Sequence, residues 1–531
     1  MKSLFNIFPL ALILLFTMAS CQKQVLVSQP MNAYTDATVW KDSGLVSLYV
    51  SGIYKGIPSE YDNYFSLLAD ITDEALSKQT FGTPVMVDNG QFNSSSSPYN
   101  SYWTSYYASI RQCNLLIQNA SSVPASNGLR QRWLGEAHFL RALYYHYLHN
   151  YFGAFPIVNN VLTTSDNLFI PRAPDSACIR FIVSDLDSAA ALLPVKYTGA
   201  DIGRATQGAA LALKCRVLLY NADYAGASAA AQQVMGLGYS LFADYAGLFY
   251  PQNDNNSEVI FDKQYVANIS TGQYNNIDWA NSPPNFSGKS TGVNDPTQDF
   301  VDLYEMTDGT PFSWSNPAEA AHPYANRDPR FEASIMHDST VWQGKIVDMK
   351  PGSVFNPLNG PPSVTNYYMK KFVNPAYNYS STTTMSGQNF ILIRLAEVYL
   401  NYAEAQFQLG NTEEARKYVN LIRARPGVNM PPVSSASFTW DSYVHERRIE
   451  LAFEGLRLWD INRWKQGPQY RGSDLHGITI SGTSPRTYTP TVVAKGGTAM
   501  VFTDPRSYLF PVPQSEINKY PGQSLAQNPG W

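Results

Sequence analysis

Residues 445–464 read HERRIELAFEGLRLWDINRW, and no other stretch restricts the possible folds as tightly. Ile449, Phe453, Leu456 and Trp459 recur at three- and four-residue intervals, so a helix would gather them on one face that must be buried. Glu446, Glu450 and Glu454 stack four apart. Arg447 lies three residues from Glu450, and Arg457 three from Glu454, so carboxylate and guanidinium groups can meet across a turn. Ion-paired acids are held ionised, which predicts that Glu446, Arg447, Glu450, Glu454 and Arg457 form a structural network and do not donate protons.

The same periodicity predicts helices over residues 43–57, 99–120, 129–150, 176–193, 206–221 and 224–235, and again over 390–409, 412–423 and 440–464. Between the two blocks, residues 237–389 are rich in Gly, Pro, Asn, Ser and aromatics without helical period, and read as loops and short strands. Two helix–turn–helix units are visible. In residues 391–425, Gly410 is a stop signal and Asn411 with Glu414 a candidate capping box. In residues 206–235, Ala210, Ala225 and Ala229 are small enough to allow close helix approach. Such hairpins resemble tetratricopeptide units, which stack and bury a continuous core.

The chain opens with Lys2 and an apolar run from Leu4 to Phe16, followed by Met18-Ala19-Ser20-Cys21. That pattern predicts a secretory signal over residues 1–20, cleaved before a lipidated Cys21 that tethers the protein to a membrane without inserting it. With Lys2 removed, 38 basic residues become 37 against 42 acidic ones, a formal charge of −5. No basic stripe interleaved with aromatics occurs, so nucleic acid is not an expected partner. Cys113, Cys178 and Cys215 all fall in helical patterns and are expected as buried free thiols.

Motifs of the common catalytic families are absent or incomplete. There is no G-x-S-x-G, Pro283 stands where the leading glycine of a phosphate loop ending at Gly288-Lys289-Ser290 would be, and Ile449 replaces the second histidine of a zinc-protease helix opening at His445-Glu446. His138, His146 and His149 share one helix but sit among Tyr144, Tyr145, Tyr147 and Leu148, so packing is favoured over metal binding. Asn253-Asp254-Asn255-Asn256 lacks calcium-loop spacing. Neither a cofactor nor a metal is expected.

HERRIELAFEGLRLWDINRWKQ resembles the signature helix of the SusD/RagB family of Bacteroidetes outer-membrane lipoproteins. LGEAHFLRALYYHYLHNYFGAFPIV, YANRDPRFEASI, ILIRLAEVYLNYAEA and the terminal YLFPVPQSEINKYPGQSLAQNPGW match the family in the same order. The resemblance implies a mainly α, SusD-like fold over residues 21–531, with four tetratricopeptide-like hairpins packed against a loop-rich half. Its parts would span about 21–236, 237–389 and 390–531. It also implies a non-catalytic glycan-binding lipoprotein that sits on a SusC-like TonB-dependent transporter barrel, lipid-anchored and facing the cell exterior. A peptide-binding component of the same kind of importer and a glycoside hydrolase are the alternatives.

Sugar contacts are not carried by any shared motif of the family. A glycan platform needs exposed rings to meet apolar C–H faces, together with planar amides. Residues 91–103 and 273–316 supply both, and Tyr99, Asn100, Tyr274, Trp279 and Trp314 are the candidates; Trp103 is assigned to the core. If the charged segment is structural, Arg447→Ala or Glu454→Ala should lower the melting temperature more than it lowers ligand affinity, as melting curves run beside binding titrations would show.

Overall fold

The computed structural model describes residues 36–284, 291–358, 362–377, 385–497, 499–520 and 522–531. The predicted signal, Cys21 and the Gly288-Lys289-Ser290 stretch lie outside them. The longer helices described in the N-terminal part are α1 (Ser43–Tyr54), α2 (Asn100–Asn119), α3 (Asn127–Phe152), α4 (Asp175–Leu192), α5 (Gln207–Tyr220) and α6 (Tyr224–Met235). Side chains of Asp42, Ser126, Thr206 and Asp223 cap the starts of α1, α3, α5 and α6 by accepting otherwise unpaired amide protons. From α2 onward each helix packs on the next. The series then continues from α6 onto α7 (Leu395–Gln408), and from α7 onto α8 (Thr412–Arg423), although some 160 residues separate α6 from α7 in sequence.

Small residues make the α5–α6 contact close, but not at all the anticipated positions. Ala210 is buried, whereas the buried alanines of α6 are Ala227, Ala230 and Ala231; Ala225 and Ala229 face outward. The reason is phase. The neighbours α5 and α7 cover the stripe that begins at Ala227, about half a turn from the stripe read in the sequence. The three thiols are free and buried.

A two-stranded antiparallel ladder spans the sequence gap. β1 (Ala75–Ser77), β2 (Val259–Lys263), β3 (Asn294–Pro296) and β4 (Phe390–Arg394) form two such pairs, β1 with β3 and β2 with β4. Residues 390–394, predicted as helix, are the strand β4. FILIR is buried at every position and rich in β-branched residues, which suits a ladder covered on both faces. The chain turns helical only at Leu395. At the far end of α7, Gly410 adopts φ 84° as a stop. The Asn411 side chain makes no cap and instead donates to Gln406 Oε1 at 2.7 Å.

The segment 440–464 is two helices, α9 (Trp440–Glu450) and α10 (Arg457–Arg463). The turn between them places Phe453 at φ 63° and Gly455 at φ 75°, left-handed conformations that a continuous helix cannot contain. Phe453 is drawn inward: it is fully buried, its ring 5.3 Å from Phe300 and its amide 3.2 Å from a Glu74 carboxylate oxygen. A Cβ on Gly455 would stand 3.2 Å from Glu60. The anticipated pairings across a turn are not made, either within α9 or across the break. Arg447 reaches Asp460 at 2.7 Å and Arg457 reaches Asp73 at 2.8 Å. Glu446 bridges Arg330 and Arg423, and Glu454 binds Arg394 and Lys371.

Glu450 is the centre. It is 0% exposed and meets Arg425 at 2.6 Å, Arg394 at 2.7 Å and Arg330 at 3.1 Å. Burial alone would raise its carboxyl, but Arg425, Arg394 and Arg330 outweigh that and hold it well below its ordinary value of 4.5. A group lowered in this way binds fewer protons folded than unfolded. Its stabilisation is therefore present above the ordinary value and is lost as pH falls through the folded one. Glu450→Gln should cost about 3–5 kcal/mol at neutral pH and flatten the acid limb of the stability profile, as denaturant titrations at several pH values would report.

Candidate functional site

One short segment, residues 60–65, carries two half-buried rings. Ser59 caps a 3-10 turn over Glu60–Asn63, after which the chain presents Tyr64 and Phe65, both half-buried. Their rings lie 4.5 Å apart, and Trp279 closes on them edge-on at 6.1 Å and 5.4 Å. Trp279 belongs to a one-turn helix, Ile277–Asn281, and is half-exposed.

The frame beneath these rings is stiff. The Trp279 carbonyl accepts the Thr291 amide. Asn294, on β3, donates to both the Tyr64 carbonyl at 3.0 Å and Asn281 Oδ1 at 2.7 Å, and the Lys78 ammonium donates to the Thr291 carbonyl. Backbone groups of both loops are thus satisfied from β3 and from Lys78, just beyond β1, while the rings stay half-buried, Tyr64 packing in part on the main core. Phe81, four residues beyond β1, is 72% exposed. Tyr64, Phe65 and Trp279 together form a half-buried aromatic cluster over a hydrogen-bonded frame, suited to stacking against a ligand with flat apolar faces.

The five residues singled out in the sequence do not converge. Trp279 joins Tyr64 and Phe65. Trp314 is half-buried, edge-on to Phe312 at 5.1 Å, and its indole N–H donates to Asp302 at 3.0 Å. Tyr274 is half-exposed and borders a cleft of about 340 Å³ with Tyr54, Arg204, Lys263 and Tyr265. Tyr99 is corrected: it is 5% exposed, packed on Phe510 at 4.3 Å and Tyr151 at 4.9 Å, because the C-terminal tail returns to cover it. Burial pushes its phenol well above the ordinary value. Asn100 is half-buried and its amide donates inward to the Ser94 carbonyl at 3.0 Å, so it holds its own loop. Tyr64 and Phe65 are not among the residues that the sequence singles out. The signal was YDNYF at 61–65, rings interleaved with Asp and Asn between a helix and a buried run.

A second cleft, of about 220 Å³, shares Lys55, Ile57 and Asp62 with the one beside Tyr274. Histidines of α3 face separate partners: His138 meets Asp185, His149 meets Asp175, and buried His146 lies 3.2 Å from the Asn150 amide. Among the described residues no group of three or more His, Cys, Asp or Glu is arranged to hold a metal ion.

Asp278, next to Trp279, has no basic partner among the described residues. Burial pushes its carboxyl from 3.8 up to about 7, opposed in part by the Ser386 hydroxyl and the Asn374 amide at 2.6 Å. Raised in the fold, it binds more protons folded than unfolded. Its favourable contribution is therefore complete below 3.8 and disappears as pH rises through about 7. Asp278→Asn should remove on the order of 2 kcal/mol of the loss in stability between about pH 5 and 8, read from unfolding curves at the two ends.

Comparison with known proteins agrees with this architecture. Residues 257–531 match the model of the SusD family, and residues 29–219 match a model described as starch-binding and associating with the outer membrane. A SusD-like protein P2 of Formosa agariphila is 25% identical over 546 residues, 98% of each chain. The crystal structure of a SusD-like protein from Bacteroides fragilis is 31% identical with a TM-score of 0.84, covering 95% of this chain and 100% of that one. A SusD-like carbohydrate binding protein of the same organism is 26% identical with a TM-score of 0.79, covering 90% and 98%.

Proposed function

Because the chain belongs to the SusD/RagB family, we propose that it captures glycan at the outer membrane and passes it to a SusC-like TonB-dependent transporter barrel, altering no bond. The observation that carries this reading is the half-exposed trio Tyr64, Phe65 and Trp279 on a hydrogen-bonded frame. Sugar rings offer C–H faces that pack on aromatic planes, and such packing needs a preformed surface more than a reactive group. The description of the family model that matches residues 29–219, and the name of the Bacteroides fragilis carbohydrate binding relative, support a glycan ligand.

The densest acids of the sequence are not available as proton donors. Glu446, Glu450 and Glu454 are each neutralised by arginine or lysine in the interior, where a proton donor needs a raised carboxyl facing a substrate. In this reading the tether is an acylated Cys21, outside the described residues, and the family model's association with the outer membrane supports that location. Tyr274 and Trp314 are proposed as flanking contacts.

The test is gel retardation and isothermal titration of the protein from residue 22 onward against plant, host and microbial polysaccharides, with a peptide library beside them. At least one polysaccharide should bind, and Trp279→Ala combined with Trp314→Ala should weaken it about tenfold or more, equivalent to about 1.4 kcal/mol, with little change in melting temperature. Unchanged affinity would remove both rings from the site. Peptide binding alone, or release of reducing ends, would overturn the glycan-capture reading.

A further inference from the structure

The cleft of about 220 Å³ lies between the 3-10 turn at Glu60, helices α2 and α3, and the turn at Gly455. Its wall is a run of rings. Tyr147 stands 6.1 Å from Tyr106, Tyr106 is 5.6 Å from Tyr102, Tyr102 is 5.1 Å from Tyr151, and Tyr151 is 4.9 Å from Trp459. Tyr220 lines the same cleft, and its hydroxyl is buried without a hydrogen-bond partner.

Most of the charges that line the cleft are already matched; the exposed Lys55 and the half-buried Glu60 are the exceptions. Arg216 is paired with Glu397, Glu454 with Arg394 and Lys371, and Asp62 with Lys263. Glu60 accepts the Leu68 amide at 2.6 Å, and no basic side chain among the described residues pairs with it. Burial raises its carboxyl to about 7, so near neutrality it is both donor and acceptor. An ionic ligand would find little free charge to complement, whereas hydroxyls on a ring would find phenols, a carboxyl and aromatic faces. The volume falls below the usual 300–1,000 Å³ or so of pockets for larger ligands, which suits one ring and not a polymer.

We propose that this tyrosine-lined cleft is a second ligand site that takes a single uncharged sugar residue, separate from the aromatic surface at Trp279. The sugar class rests on the glycan reading above; the location does not. The two sites are joined by residues 60–65, since Glu60 and Asn63 border the cleft while Tyr64 and Phe65 meet Trp279.

Saturation-transfer NMR with glucose, galactose, mannose and xylose tests it, beside polysaccharide retardation gels on the same four proteins: the unsubstituted chain, Ser105→Trp, Tyr220→Phe and Trp279→Ala. Ser105 is an exposed residue at the cleft's rim, so Ser105→Trp closes the mouth without disturbing the core. At least one monosaccharide should bind the unsubstituted protein and Trp279→Ala alike. Its affinity should fall about tenfold in Ser105→Trp and stay unchanged in Tyr220→Phe, whose hydroxyl is enclosed, while the gels for Ser105→Trp stay unchanged. Binding of polysaccharide with no monosaccharide signal would overturn the second site and leave the proposed function standing. Monosaccharide binding lost in Trp279→Ala and kept in Ser105→Trp would do the same. Absence of both kinds of binding would overturn both.

Discussion

Three guanidinium groups on one buried carboxylate hold this molecule in register. Glu450 comes from α9, Arg394 from the end of β4, Arg425 from just beyond α8, and Arg330 from the loop-rich stretch. Glu258, immediately before β2, shares Arg394 and Arg425. Arrays of this kind add little net stability over well-packed apolar side chains, because desolvation offsets attraction. Their effect is on alternatives. A displaced segment would leave an uncompensated charge in the interior, so four parts of the chain must arrive together.

That requirement explains how a helical stack with a long interruption stays continuous. The β2–β4 ladder returns the chain from the loop-rich stretch directly into α7, and α7 then packs on α6 as though no residues had intervened. The main hydrophobic core accordingly runs from Val46 to Leu525. The tail closes the other side, where Phe510 and Asn528 dock against the end of α3.

The candidate binding surface depends on the same economy of polar groups. Loops that carry rings outward must satisfy their backbones inward, and Asn294, Asn281 and Lys78 do so beneath Tyr64 and Trp279. Rings whose own loops are covered by another segment, as Tyr99 is by Phe510, are lost to the core. Exposure of an aromatic in this fold is decided by what returns over it.

The sequence by itself determined the mainly helical class, the positions of most helices within a few residues, the buried thiols and the assignment of the Glu446–Arg457 charges to ion pairing, since each rests on local period or residue chemistry. Tertiary structure decided the rest. It broke residues 440–464 at Phe453 and Gly455, turned residues 390–394 into a strand, and gave Arg447 and Arg457 the partners Asp460 and Asp73. It also joined Trp279 to Tyr64 and Phe65 across more than two hundred residues. The physical reason is common to all of these: spacing along a chain reports which side chains share a face, but a charge or a ring takes its partner from whatever element packs opposite, and that element is distant in sequence.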